Sequence, residues 1–164
     1  MSPTKTGTVH VFCYKKGLLS RVAHDIRLSV HPHHFSHVDH VVSARFRPQD
    51  MVVDGAIQQN HLQERLLSAK DKRDIRKNLL NHVLEARAFP EIVLEGGTSE
   101  LMFDGTLTLK GNTLPIGFAI ISSEEHHSGQ LEIQPSKWGI KPFKALFGAI
   151  QLQDRLGIHF RFPR

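Results

Sequence analysis

Alternation of apolar and polar residues dominates this chain. Leu101, Phe103, Gly105, Leu107 and Leu109 alternate with Met102, Asp104, Thr106 and Thr108, the period of a strand with one buried face. Lys110 to Thr113 reads as a hairpin turn, after which Ile116, Phe118 and Ile120 return antiparallel. At the C-terminal end Leu156, Ile158, Phe160 and Phe162 alternate with Arg155, Gly157, His159 and Arg161. Near the N-terminus Val9, Val11 and Cys13 share a face against His10, Phe12 and Tyr14, whose rings predict cover on both sides. Asp25 to His31 points Ile26, Leu28 and Val30 inward, and Val42, Ala44 and Phe46 do the same after a His-rich connection. Met51 to Val53 is a short strand ending at Asp54-Gly55, and Glu91 to Glu95 is one closed by Gly96-Gly97. Glu124 to Gly129 is a turn, with Leu131 and Ile133 continuing the meander.

Helical spacing is rarer. From Ser68 to Arg87, Ile75, Leu79 and Val83 recur every fourth residue with Leu80 and Leu84 beside them, an apolar stripe on one helical face. Ser68 with Asp71 matches a capping box, and Phe89-Pro90 is the expected stop. Gly17 to Ala23 suits a short helical turn, and Pro142 to Ala149 a short helix with Phe143, Phe147 and Ile150 apolar. Gln58 to Leu67 is polar and reads as a loop or weak helix. A lone amphipathic helix among antiparallel strands must bury its stripe on a sheet or over a barrel mouth. About eight strands with one aliphatic side favour a closed barrel, which leaves no exposed edge.

Composition adds limits. The 164 residues suit one domain, residues 1–164, and Lys plus Arg exceed Asp plus Glu to give a net charge of +5, a modest basic balance. Cys13 is the only cysteine, which excludes an intrachain disulfide and a cysteine-built metal site; it reads as a buried bystander. Met1 to Gly7 lacks the apolar core of a signal peptide, and no run of about 18 apolar residues occurs, so a soluble cytoplasmic protein is expected.

Several motifs in order resemble a known family. Leu67-Ser68-Ala69-Lys70-Asp71-Lys72-Arg73-Asp74-Ile75 followed by Ala88-Phe89-Pro90-Glu91-Ile92 is similar to the YceI-like (polyisoprenoid-binding) pattern of a helix running into a Phe/Tyr-Pro-x-Ile strand. Gly105-x-Leu107-x-Leu109-x-Gly111-x-Thr113-x-Pro115 resembles that family's hairpin. Gly17-Leu18-Leu19-Ser20 to His24-Asp25, and Trp138 to Leu146 with Gln153-Asp154-Arg155, resemble a subgroup of it. The likeness spans roughly residues 8–162. It implies a mainly β fold: a single antiparallel lipocalin-like barrel of about eight strands with one long amphipathic helix and one or two short helices. It also implies a lumen for an isoprenoid or other amphiphilic chain, and no catalysis. Two departures stand out: many relatives are exported whereas this chain shows no leader, and Leu94 replaces a usual Phe.

Eight tilted strands enclose room for side chains or one slim ligand. The expected inward set is Ile26, Leu28, Phe103, Leu107, Phe118, Ile120, Leu131, Ile158 and Phe160. Such a lining would give an isoprenyl tail of about 15 carbons a gross gain on the order of 10 kcal/mol, before motional losses. The head group is expected at a mouth near Trp138, Phe143 and the cationic residues, and Phe147 is counted with the lumen and mouth residues. The competing reading is an interior filled by these side chains, leaving an interaction scaffold.

Five of the twelve histidines, His31, His33, His34, His37 and His40, fall within ten residues. Neutral imidazoles bind zinc, nickel or copper, so a metal protein is an alternative, but no Glu-x-x-His or distant ligand set accompanies them and an exposed turn is expected. Ser20, His24 and Asp25 lack a nucleophile elbow, and Leu109 to Thr113 is a turn rather than a phosphate loop. The basic helix face (Arg65, Lys70, Lys72, Arg73, Arg76, Lys77) has no interleaved aromatics to stack on bases. The expectation is therefore no enzyme activity, no cofactor and no nucleic-acid partner. An isoprenoid or fatty amphiphile is the expected ligand, with an anionic membrane surface and a second copy of the chain as further partners to test.

Overall fold

The computed structural model describes residues 7–16, 24–145 and 150–164. The first strands are β1 (Thr8–Lys15), β2 (Asp25–Val30), β3 (His34–Val38), β4 (Val41–Phe46), β5 (Val52–Gln58) and β6 (His61–Gln63). The helix α1 (Ala69–Asn78) follows, then β7 (Ile92–Thr98), β8 (Met102–Leu109) and β9 (Asn112–Ala119). The last are β10 (Ile121–Ser122), β11 (His126–Ile133), β12 (Lys144–Ala145) and β13 (Ile150–Pro163).

They form two antiparallel sheets. One has the order β10-β11-β13-β1-β2-β5-β6, with β12 also on β13; the other runs β3-β4-β7-β8-β9. The expectation of a mainly β, antiparallel chain agrees with this. A closed barrel is not found among the described residues: the ladder is interrupted between β9 and β10, and β3 and β6 stand at outer edges. Ile120 bridges the first gap, its N–H donating to Leu101 O at 2.8 Å, so the chain passes there directly from one sheet to the other.

Local expectations were overturned where glycine or histidine was read as a break. Gly96 and Gly97 stay inside β7, paired with Gly105 and Asp104. Gly55 stays inside β5, where Asp54 is the extra residue of a bulge opposite Arg27 and Leu28. The bulge lets the Asp54 carboxylate accept from Arg27 Nε at 2.9 Å and Ser29 Oγ at 2.8 Å. The His-rich connection contains β3, closed onto β4 by Asp39 and His40 at φ 50° and 64°, the left-handed pair of a two-residue hairpin. Gln59 and Asn60 (φ 50° and 62°) make the same turn into β6, within the stretch read as loop or weak helix. β11 already begins at His126, inside the expected turn.

The expected helix at Pro142 to Ala149 is not present in its described part. Lys144 and Ala145 pair with Gln151 and Ile150, and Leu152 N–H donates to Phe143 O at 3.1 Å. A ladder partner on β13 overrides the local helical spacing there. Residues 146–149 and the expected helical turn at 17–23 lie outside the described residues.

The main helix starts as expected. Ser68 Oγ accepts from Asp71 N–H at 3.1 Å, and the Asp71 carboxylate accepts from Ser68 N–H at 2.9 Å. It ends earlier than Phe89-Pro90 suggests. After Asn78 the backbone widens into a π turn over Leu79–Val83, and Glu85 turns left-handed at φ 49°. Arg76 donates to Met51 O at 3.0 Å and also to Gln49 O, so this member of the basic face is a tether. Beyond the helix, Lys110 Nζ meets Glu85 Oε2 at 2.9 Å. The segment thus leaves β6 of one sheet and is anchored at the β8–β9 hairpin of the other, lying across one end of the space between them. No helix among the described residues is long and apolar enough to cross a membrane.

A cavity between the two sheets as the candidate functional site

The inward faces of the sheets touch through Phe35 against Phe162 and Phe118 near Phe160 but are not packed together throughout. Between them lies a cavity of about 1390 Å³, larger than the roughly 300–1,000 Å³ of ordinary small-molecule pockets. Each wall follows from strand alternation: Val9, Val11 and Cys13 of β1 and Ile26, Leu28 and Val30 of β2 face it, as do Val42, Ala44 and Phe46 of β4. Leu131, Ile158 and Phe160 line it from the first sheet, and Phe103, Leu107 and Phe118 from the second. Ile120 at the crossover and Phe143 at one end complete the expected residues that reach it, and Leu94 lines it as well.

Trp138 does not reach it. The ring is buried, and its Nε1–H donates to Leu107 O at 2.9 Å while its own carbonyl accepts from Asn112 Nδ2 at 2.9 Å. An indole with a buried carbonyl to satisfy packs behind the wall instead of in the lumen. Phe147 lies outside the described residues.

The helix closes one end with its stripe: Ile75, Leu79, Val83 and Leu84 line the cavity, while Leu80 is buried beside them. Asp71, Asp74, Asn78, His24, Lys141, Gln153 and Asp154 bring polar atoms to the lining there. The Asp71 and Asp154 carboxyls are held below the usual carboxylate value by hydrogen bonds from Ser68 and Ser136, respectively. Cys13 faces this space, and burial, with Asp25 nearby, pushes its thiol up to about 12, so it stays protonated and inert.

Toward the other end the lining turns aromatic. Phe103 stacks on Phe118 with centroids 4.7 Å apart, Phe118 lies 5.2 Å from Phe160, and Phe162 stacks on Phe35 at 4.5 Å. These rings rest on bare backbone. A Cβ at Gly96 or Gly105 would sit 2.8 Å from Phe103 Cζ, and one at Gly129 would sit 2.5 Å from Phe160 Cζ.

Beyond the rings lies a polar rim. His37 Nε2 is 3.0 Å from Thr98 Oγ1, His127 Nδ1 is 2.7 Å from Ser122 Oγ, and the two imidazoles meet edge-on at 5.5 Å. His127 is held below the usual histidine value by burial first, then by His37, Arg164 and His126. Phe35, Phe162, His37 and His127 were not singled out from sequence as lining. Phe162 was visible in the alternation of β13; the histidine pairing was not, because the partners lie far apart in the chain.

Two other histidines of the cluster, His31 and His33, pair elsewhere. His31 Nδ1 is 3.0 Å from Gly7 O, and His33 Nε2 is 3.1 Å from Glu91 Oε1. Among the described residues no three His, Cys, Asp or Glu side chains are grouped to hold a metal ion. His24 is half-buried at the cavity, and the Asp25 carboxylate accepts from the Lys15 N–H at 2.8 Å; Ser20 lies outside the described residues.

Comparison with known proteins matches residues 20–162 to the model of the YceI-like domain. A search among curated proteins returns no match. Among solved structures, BcnA of Burkholderia cenocepacia is similar in fold at a TM-score of 0.54 and 11% identity, with 96% of each chain covered. A polyisoprenoid binding domain from Saccharophagus degradans, implicated in plant cell wall breakdown, has a TM-score of 0.54 at 9% identity, with 96% of this chain and 94% of that one covered.

Proposed function

The chain belongs to the YceI-like family, and from that premise we propose that it is a non-catalytic carrier holding the hydrocarbon chain of an isoprenoid or other amphiphilic lipid between its sheets. The observation that carries this reading is the cavity of about 1390 Å³ with an aliphatic and aromatic lining. Its size supports a guest over an interior filled by the chain's own residues, since native interiors are otherwise packed with few voids larger than a water molecule. The similarity in fold to a protein described as a polyisoprenoid binding domain points the same way. Contact with such walls favours each buried methylene by about 0.8 kcal/mol, so a long chain is held without any specific polar contact. Ile26, Leu28, Leu107, Leu131 and Ile158 provide the aliphatic wall, while Phe103, Phe118 and Phe160 provide a ring-lined section. The helix stripe acts as a cover over one end. Residues 1–164 work as one unit in this scheme.

The test is organic extraction of the purified protein with mass spectrometry of the extract, alongside titration with a fluorescent fatty probe. A near-stoichiometric amphiphile, or saturable probe binding displaced by polyprenols, is expected. Empty extracts together with no binding of either polyprenyl or fatty probes would end the proposal.

A further inference from the structure

The two ends of the cavity differ in chemistry. Under the helix the charged lining is mostly acidic: Asp71, Asp74 and Asp154 against Lys141. At the aromatic end hydrogen-bond donors gather: His37, His40, His127 and Arg164, with the hydroxyls of Thr98 and Ser122. These come from four separate parts of the fold: the β3–β4 hairpin, the end of β7, the β10–β11 hairpin and the C-terminus. The Arg164 backbone N–H donates to Glu125 O at 3.1 Å and its guanidinium to Ser123 O at 3.3 Å, which holds the terminal residue at this rim.

We propose that this rim is an anion site that takes the carboxylate or phosphate head of the cargo lipid, with the tail running past the phenylalanines toward the helix. The proposal rests on the carrier reading and sets the direction of the guest within it. It reverses the head position expected from sequence, near Trp138 and Phe143.

The site strengthens on acidification. His37 and His127 face one another edge-on, and burial and the facing ring hold the His127 imidazole below the usual histidine value, so an anion beside the pair favours its charged form. The charged groups around the pair are His40 and Asp39 from the β3–β4 turn and Glu100 from the β7–β8 turn. His126, Glu124 and Glu125 come from the start of β11, and Arg161 and Arg164 from the C-terminal end. Glu100 is the one side-chain carboxylate among the described lining residues at this rim, so an anionic head gains most once the His127 imidazole is charged.

The experiment compares dansyl-labelled undecanoate with its methyl ester, which share a tail and differ in head charge. At about pH 6 the acid should bind roughly tenfold tighter than the ester, the usual scale of a charge-assisted hydrogen bond, and near pH 8 the preference should shrink. His37→Gln with His127→Gln should bring acid and ester to parity at both pH values. If the double variant does not fold, His37→Gln and Arg164→Gln alone, both at exposed positions, should each cut the preference several-fold. Equal binding of acid and ester by the unaltered protein overturns this inference and leaves the carrier reading standing; failure of both to bind defeats the carrier reading itself. Loss of the preference in Lys141→Gln instead would place the head at the helix end. Inorganic phosphate should weaken the acid and not the ester, since head and free anion compete for one rim; phosphate that shifts the His37 and His127 imidazole NMR signals without weakening the acid would make the rim a site for a free anion, and the lipid orientation would fall.

Discussion

Gly105→Ala is the sharpest test of how the interior is built. A methyl there would collide with Glu95 O and lie 2.6 Å from Gly96 Cα, both backbone atoms of β7, and 2.8 Å from Phe103 Cζ. The ladder between β7 and β8 must spread and the ring must lift from its seat. Overpacking of this kind costs about 1–3 kcal/mol, and disturbing the Phe103–Phe118 stack costs a further 0.5–1.5 kcal/mol or so. Replacing glycine by alanine in a strand returns roughly 0.5–1 kcal/mol, leaving a net loss of about 2–3 kcal/mol. Gly97→Ala is the matched control one residue from Gly96, where, among the described residues, His40 O at 3.8 Å is the one non-adjacent neighbour within 4 Å of the added methyl. It should be neutral or stabilising by about 0.5 kcal/mol. In urea, with a slope of about 2 kcal/mol per molar, the two midpoints should differ by more than about 1 M. Coincident midpoints, or a Gly97→Ala protein less stable than Gly105→Ala, would refute the idea that the interior rings sit on bare backbone.

Other outcomes follow from the same geometry. His10 and His127 are both held below the ordinary histidine value of 6.5, chiefly by burial. The unfolded chain therefore takes up protons first, and stability in the absence of ligand should fall as pH drops below 6.5. Urea midpoints at about pH 7.5 and 5.5 check this, and an unchanged or higher midpoint in acid would refute it. Trp138→Phe should cost about 0.5–1.5 kcal/mol by removing the indole's hydrogen bond to the Leu107 carbonyl, yet leave affinity for a fatty probe within about twofold, because the ring stands behind the cavity wall. Ser68→Ala should lower stability by about 1 kcal/mol through loss of the helix cap, seen as a reduced urea midpoint; no change would mean the cap contributes nothing here. Cys13 should resist alkylation near pH 8 in the folded protein and react on unfolding, as its thiol value of about 12 requires.

Much of the fold was legible because strand alternation needs only near neighbours in the chain. The inward faces of β1, β2, β4, β8 and β13 could be read from their own residues, as could the stripe and cap of the helix. Glycine misled at Gly55 and Gly96-Gly97, where local preference suggests a turn but the strand continues, with the neighbouring backbone at Gly55 and the Phe103 ring at Gly96 leaving no room for a side chain. Trp138 misled because its orientation depends on a carbonyl 31 residues away. Whether the sheets close on one another, and that His37 meets His127, depends on register between distant strands, which no local pattern encodes.

The crossover at Ile120 works as the spine of a book. Along that edge the covers are bound by the chain itself and by the pairing of Ile121 with Ser128 and Ser122 with His127. Across the rim, β3 meets the strands beside that binding through Phe35 against Phe162 and His37 against His127, contacts of rings and not of backbone. A thicker guest is therefore accommodated by parting those pages while the binding stays shut, and amide exchange should quicken in β3 before β10.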